Sequence, residues 1–84
     1  MAYERSASLA TLRRFLEDYP EHDQAPAVRR AMGRVYEVGL GQYDQALKEY
    51  EQVLMSYPQY AMLDDVRRDV TRVRAATQGA TYAP

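Results

Sequence analysis

The chain has 84 residues, 46% of them hydrophobic and 27% charged, an ordinary globular composition that excludes wholesale disorder. A domain of this size buries only about 60% of the surface its unfolded chain exposes, so its core is thin. A formal net charge of -1 excludes a global field that would draw the chain onto nucleic acid or an anionic membrane, and the absence of cysteine excludes disulfides, thiolate nucleophiles and the usual structural zinc sites.

Apolar residues recur at helical spacing in four segments, each of which predicts an amphipathic helix. Leu9, Leu12, Phe15 and Leu16 place the first at about 4–18. Val28, Met32, Val35 and Tyr36 place the second at about 25–39, and Ala46, Leu47, Tyr50, Val53 and Leu54 the third at about 42–56. Val66, Val70 and Val73 place the fourth at about 61–77, leaving 78–84 as a frayed tail. Pro20, Pro26 and Pro58, with Gly39 and Gly41, fall between the apolar segments, where helix punctuation belongs. No strand pattern competes, and no apolar run approaches the roughly 20 residues a spanning helix needs. The opening MAYERSASLA has no apolar stretch of secretory-signal length. The expectation is a cytoplasmic protein, with the bacterial envelope open for a mature or excised fragment.

The second half of the chain repeats the first. FLEDYP at 15–20 returns as VLMSYP at 53–58, an offset of 38 residues, and VRRAMGRV at 28–35 returns as VRRDVTRV at 66–73 with five of eight positions identical. A helical array with a period near 40 predicts a solenoid, in which each helix pair buries its apolar stripe against the next.

Met32-Gly33-x-x-Tyr36, followed by Gly41, Tyr43, Ala46-x-x-x-Tyr50, Val53 and Pro58, resembles one repeat of the tetratricopeptide (TPR) family. The resemblance implies an all-α, right-handed solenoid of antiparallel helices: a half repeat at 4–20, a full repeat at 25–58 and a capping half repeat at 61–77. Gly33 and Ala46 would let two helices approach closely while Tyr36 and Tyr50 fill the space around them. The departures are Arg29 in place of the opening aromatic, one residue inserted around Leu40, and an insertion after each Tyr-Pro. They stretch the usual period of about 34 to a length similar to divergent repeats of bacterial envelope assembly proteins. Thr71 and Arg74 stand where a further repeat would need Gly33 and Tyr36, which implies a solvated cap.

In that family the first helix of each repeat lines a concave groove. Carried onto this chain, the groove positions are Ala27, Arg30, Arg34 and Glu37, then Asp65, Arg68, Arg72 and Ala75. The spacing points the same way, because Arg30 and Arg34 are i, i+4, as are Arg68 and Arg72, and the repeat offset superposes the pairs. The candidate partner-binding residues are therefore Arg30, Arg34, Glu37, Arg68 and Arg72, a ridge suited to acidic side chains or a peptide C-terminus. A second reading stands beside it, in which Arg30 or Arg34 pairs with Glu37 or Asp69, and Asp64 with Arg68, as ion pairs that specify nothing.

Tyr36, Tyr43, Tyr50 and Tyr57 occupy apolar positions of the repeat and read as core. Tyr3, Tyr60 and Tyr82, with Met55 and Met62, are adaptable residues available to an interface. His22 is the only histidine and lies in an acidic turn. No phosphate loop, nucleophile motif or metal-ligand spacing is present, so no catalytic residue, metal or cofactor is expected. Asp44, Glu49 and Glu51 against Lys48 make the third helix unsuited to a phosphate backbone. Two functional classes remain. One is an adaptor that binds a protein or peptide; the other is a structural subunit of a larger assembly or homo-oligomer, since solenoids usually need about three repeats to stand alone.

Overall fold

A computed structural model describes the backbone of residues 2–82 and the side chains of 9–78. Four α-helices make up the described residues, with no strand among them: α1 (Ala2–Asp18), α2 (Ala25–Arg34), α3 (Tyr43–Ser56) and α4 (Leu63–Tyr82). A five-residue π turn, Val35–Gly39, extends α2. None of these helices is long and apolar enough to cross a membrane.

The helix ends follow local chemistry. Pro20 disfavours helical backbone at Tyr19, and α1 stops one residue earlier. Pro26 sits in the first turn of α2, where its missing N–H would have no partner in any case. The Gln24 N–H just before that turn is taken by His22 Nδ1 at 3.0 Å. Asp44 lies in the first turn of α3, and Asp64 and Asp65 in the first turn of α4, each placing negative charge at the positive end of a helix dipole. Gly41 turns the chain from the π segment into α3 with φ 65°, a left-handed conformation that costs glycine nothing.

The extra residue assigned to the Gly39-Leu40-Gly41 turn is taken up one turn earlier. The Leu40 N–H donates to Val35 O at 3.0 Å, an i to i+5 bond, and the Gln42 N–H donates to Tyr36 O at 2.8 Å. Residues 35–39 are therefore wound as π rather than α helix. This wider turn presents Tyr36 to the core and Glu37 toward α4 at consecutive positions.

α3 packs against α2 on one side and α4 on the other, while α1 packs against α2 and the π turn. The main core lies around α3 and holds Tyr36, Ala46, Tyr50, Val53, Val66, Val70 and Val73. Val53, Val66 and Val73 are fully buried, each removing about 1.5–3 kcal/mol of apolar exposure from water. A smaller cluster of Leu16, Ala25 and Met32 joins α1 to α2, and Tyr57 packs against both clusters. Gly33 on α2 packs directly against the Tyr50 ring of α3. A Cβ on Gly33 would lie 2.7 Å from Tyr50 Cδ1 and closer still to Cε1, so any larger residue collides with a buried ring. In α4 the equivalent positions, Thr71 and Arg74, are exposed, so the side that in α2 receives a tyrosine faces solvent.

Two expectations need correction. The fourth helix does not end at 77 but continues through Tyr82, so the frayed tail is helical over 78–82, while 83 and 84 lie outside the described residues. Gly79 weakens a helix interior by only about 1 kcal/mol relative to alanine, too little to end one. Tyr43 is not core: it opens α3 ahead of the packed stripe and is 41% exposed. Tyr36 and Tyr50 are buried and Tyr57 is half-buried.

Candidate functional site

Two of the four arginines singled out by the repeat, Arg30 and Arg72, lie across the gap between α2 and α4, and carboxylates meet them there. Arg30 on α2 donates through Nε to Asp69 Oδ2 at 2.6 Å and through Nη2 to Oδ1 at 3.4 Å. Arg72 on α4 reaches back to the π turn and grips Glu37 with two parallel bonds of 2.7 Å, Nε to Oε2 and Nη2 to Oε1. Arg72 Nη2 also donates to Asp69 Oδ1 at 3.0 Å. From α3, the Tyr50 hydroxyl donates to Glu37 Oε1 at 2.8 Å. Four charged side chains and one phenol thus join α2, the π turn, α3 and α4.

Burial makes this more than a surface pairing. Asp69 is 2% exposed and Glu37 11%, whereas Arg72 remains 46% exposed at the outer edge. The two-point bond to Arg72 holds the Glu37 carboxyl below its ordinary range, against the opposing effect of burial and with help from the Tyr50 hydroxyl. The same bond raises Arg72, and the bond to Asp69 raises Arg30. Tyr50 is raised well above 10.0, first by burial and then by the carboxylate it donates to.

Arg68 and Arg34 differ from their repeat mates. Arg68 pairs on its own helix with Asp65, at 2.5 Å and largely in solvent. Arg34 is exposed and makes no hydrogen bond or ion pair with a described residue, although its charge also helps to hold Glu37 ionised. Asp64 pairs with Arg67, not with Arg68. Among the described residues, three carboxylates, Glu37, Asp65 and Asp69, stand around the four candidate arginines, so the ridge carries a formal charge of one positive instead of four.

The sequence explains this asymmetry. At an offset of 38 residues, Asp69 matches Ala31, Asp65 matches Ala27, and Glu37 matches Ala75. The arginines repeat, but each carboxylate occurs in one copy only, so superposed cations acquire different partners. Asp69 stands outside the candidate partner-binding residues and enters the sequence reading only as an ion-pair partner, the role it takes with Arg30, and its position carried a signal. Val66, Asp69, Val70 and Val73 form an i, i+3, i+4, i+7 stripe, so the carboxylate lies in the buried face of α4 and requires cations to reach it.

Other arginines act locally. Arg29, standing where the repeat pattern has an aromatic, bonds Glu49 at 2.9 Å while its Nε is buried without a partner among the described residues. Arg13 donates to the Tyr36 hydroxyl at 2.9 Å, and Arg74 reaches Glu51 at 2.5 Å. Of the adaptable residues, Met55 and Met62 are exposed and Tyr60 is half-exposed; the side chains of Tyr3 and Tyr82 lie outside the described residues. Among the described residues, no three of His, Cys, Asp and Glu group as metal ligands would.

Two open grooves lie at opposite ends of the helices. One of 810 Å³ runs between the Tyr-Pro turns, 19–24 and 57–62, and one of 470 Å³ lies at the start of α3 beside Thr77. Against known proteins, the chain matches no family model, no curated protein and no solved structure.

Proposed function

We propose that the chain is a non-enzymatic protein–protein interaction module on the TPR plan, a right-handed solenoid with α2 and α4 as successive first helices of a partner-binding face. The supporting observation is the clasp of Arg30, Asp69, Arg72 and Glu37, which fixes α2 and the π turn against α4 through side chains. A face held in this way has little conformational freedom left to lose on binding. Arg34, which makes no hydrogen bond or ion pair with a described residue, and the solvent-facing Arg68 are its available cations. They suit an acidic segment or a peptide C-terminal carboxylate. Arg30, Glu37 and Arg72 form the base of this face rather than its reading groups.

The test is fluorescence anisotropy with a labelled Glu-rich peptide and its Lys-rich counterpart. The acidic probe should bind and weaken with added salt. Arg34→Ala should weaken it about tenfold, the loss of one charge-assisted hydrogen bond. Equal binding of both probes, or unchanged affinity in Arg34→Ala and Arg68→Ala, would remove the reading. The alternative, a structural subunit or homo-oligomer, is favoured by Met55 at 77% and Val38 at 64% exposure. A melting temperature that rises with protein concentration would support it.

A further inference from the structure

The 810 Å³ groove combines an apolar floor with an acidic rim. Pro26, Tyr57, Pro58 and Met62 supply carbon surface, and Glu21 and Asp23 supply carboxylates from the first Tyr-Pro turn. Among the described residues, no lysine or arginine lines it. Glu21 and Asp23 are exposed, and neither makes a hydrogen bond or ion pair with a described residue. The N-terminus of α2 lies beside them and contributes roughly half a positive charge, less than the two full negative charges. The groove is therefore net negative.

Its walls are also tied together. The Tyr57 hydroxyl of the second turn donates to Pro20 O of the first at 3.0 Å, a bond spanning 37 residues. The first turn is also braced by His22, a lining residue that packs edge-on against Phe15 with ring centroids 5.2 Å apart. The volume falls within the range of about 300–1,000 Å³ usual for binding clefts.

We infer that the groove between the two Tyr-Pro turns is a docking cleft for an extended segment of a partner protein that carries lysine or arginine beside a bulky apolar side chain. The apolar side chain seats against Tyr57, Pro58 and Met62, and the cation meets Glu21 and Asp23. Tyr60, in the same lining and packed against the main core, adds further apolar surface. This cleft uses different residues from the arginine face and has the opposite charge, so failure of the acidic probe there leaves it standing.

The experiment titrates the full chain with short fluorescein-labelled peptides in Gly-Ser flanks, one with a Lys-Phe pair, one with Glu-Phe and one with Lys-Ser. The Lys-Phe peptide should bind more tightly than either control. The double variant E21Q/D23N should weaken it about fivefold, two exposed ion pairs at about 0.5 kcal/mol each. Ala61→Arg, at an exposed position of the lining, should weaken it at least as much by placing a cation in the groove. Amide shifts should concentrate at 21–24 and 57–62. No measurable binding of Lys-Phe, equal binding of Glu-Phe, an unchanged E21Q/D23N, or shifts centred on Arg34 and Arg68 would each overturn the inference.

Discussion

Replacing Asp69 with asparagine keeps the shape of the side chain and removes its charge. At 2% exposure, Asp69 accepts from Arg30 Nε and Nη2 and from Arg72 Nη2. Asparagine offers one accepting oxygen and turns an NH₂ donor toward guanidinium donors. Breaking a fully buried pair costs about 3–5 kcal/mol. Arg30 and Arg72 still reach solvent at 22% and 46% exposure, and Arg72 retains Glu37, so both recover some hydration or pairing. The expected loss for Asp69→Asn is about 2 kcal/mol, a drop in Tm of about 8–16 °C for a chain this short. The control is Asp65→Asn, whose pair with Arg68 lies largely in solvent and whose loss, helix-dipole contribution included, should stay within about 1 kcal/mol. Urea and thermal unfolding followed by circular dichroism report both. The apolar pair R30M/D69L should recover most of the stability, because it removes the stranded cation along with the carboxylate. If Asp69→Asn matches Asp65→Asn, the cluster is a surface pairing and the reasoning fails.

Gly33→Ala should destabilise by about 1–2 kcal/mol in the same unfolding experiment. Overpacking against the buried Tyr50 ring outweighs a gain in helix propensity of about 1 kcal/mol; a more stable variant would show that α2 and α3 separate easily. Glu37 has a lowered folded value, so its stabilisation is fully present above its ordinary 4.5 and is lost as pH falls through the depressed folded value. Glu37→Gln should therefore flatten the acid limb of the stability curve below pH 4.5, and an unchanged limb would place the acid sensitivity elsewhere. Tyr50 has a raised folded value, so its contribution is present below 10.0 and declines as pH rises beyond it, a loss that Tyr50→Phe should abolish.

Much of the fold was legible because its apolar stripes recur with a helical period and its prolines punctuate them. Leu16, Met32, Tyr50, Val53, Val66, Val70 and Val73 are buried as that spacing required. The π turn was not legible, since a one-residue insertion has the same sequence whether it widens a helix or lengthens a loop; only the Leu40 to Val35 bond distinguishes them. Tyr43 misled because a match to a repeat position says nothing about whether a neighbouring helix covers it. At the site, arginine spacing placed the cations on one face, but periodicity of like residues cannot reveal where unlike residues break the repeat. Asp69 and Glu37 do so, which turned an expected binding ridge into a largely neutral clasp. Asp69 was detectable as a carboxylate within a valine stripe; the Tyr50 to Glu37 bond depends on the π turn and was not.

The clasp between the π turn and α4 is tested most directly by a double-mutant cycle on Glu37 and Arg72, measuring unfolding of Glu37→Gln, Arg72→Gln and the double variant. Two parallel bonds of 2.7 Å to a carboxylate at 11% exposure should give a coupling energy of at least about 1 kcal/mol. Additivity within about 0.3 kcal/mol would mean that the two residues do not hold α4 to the π turn.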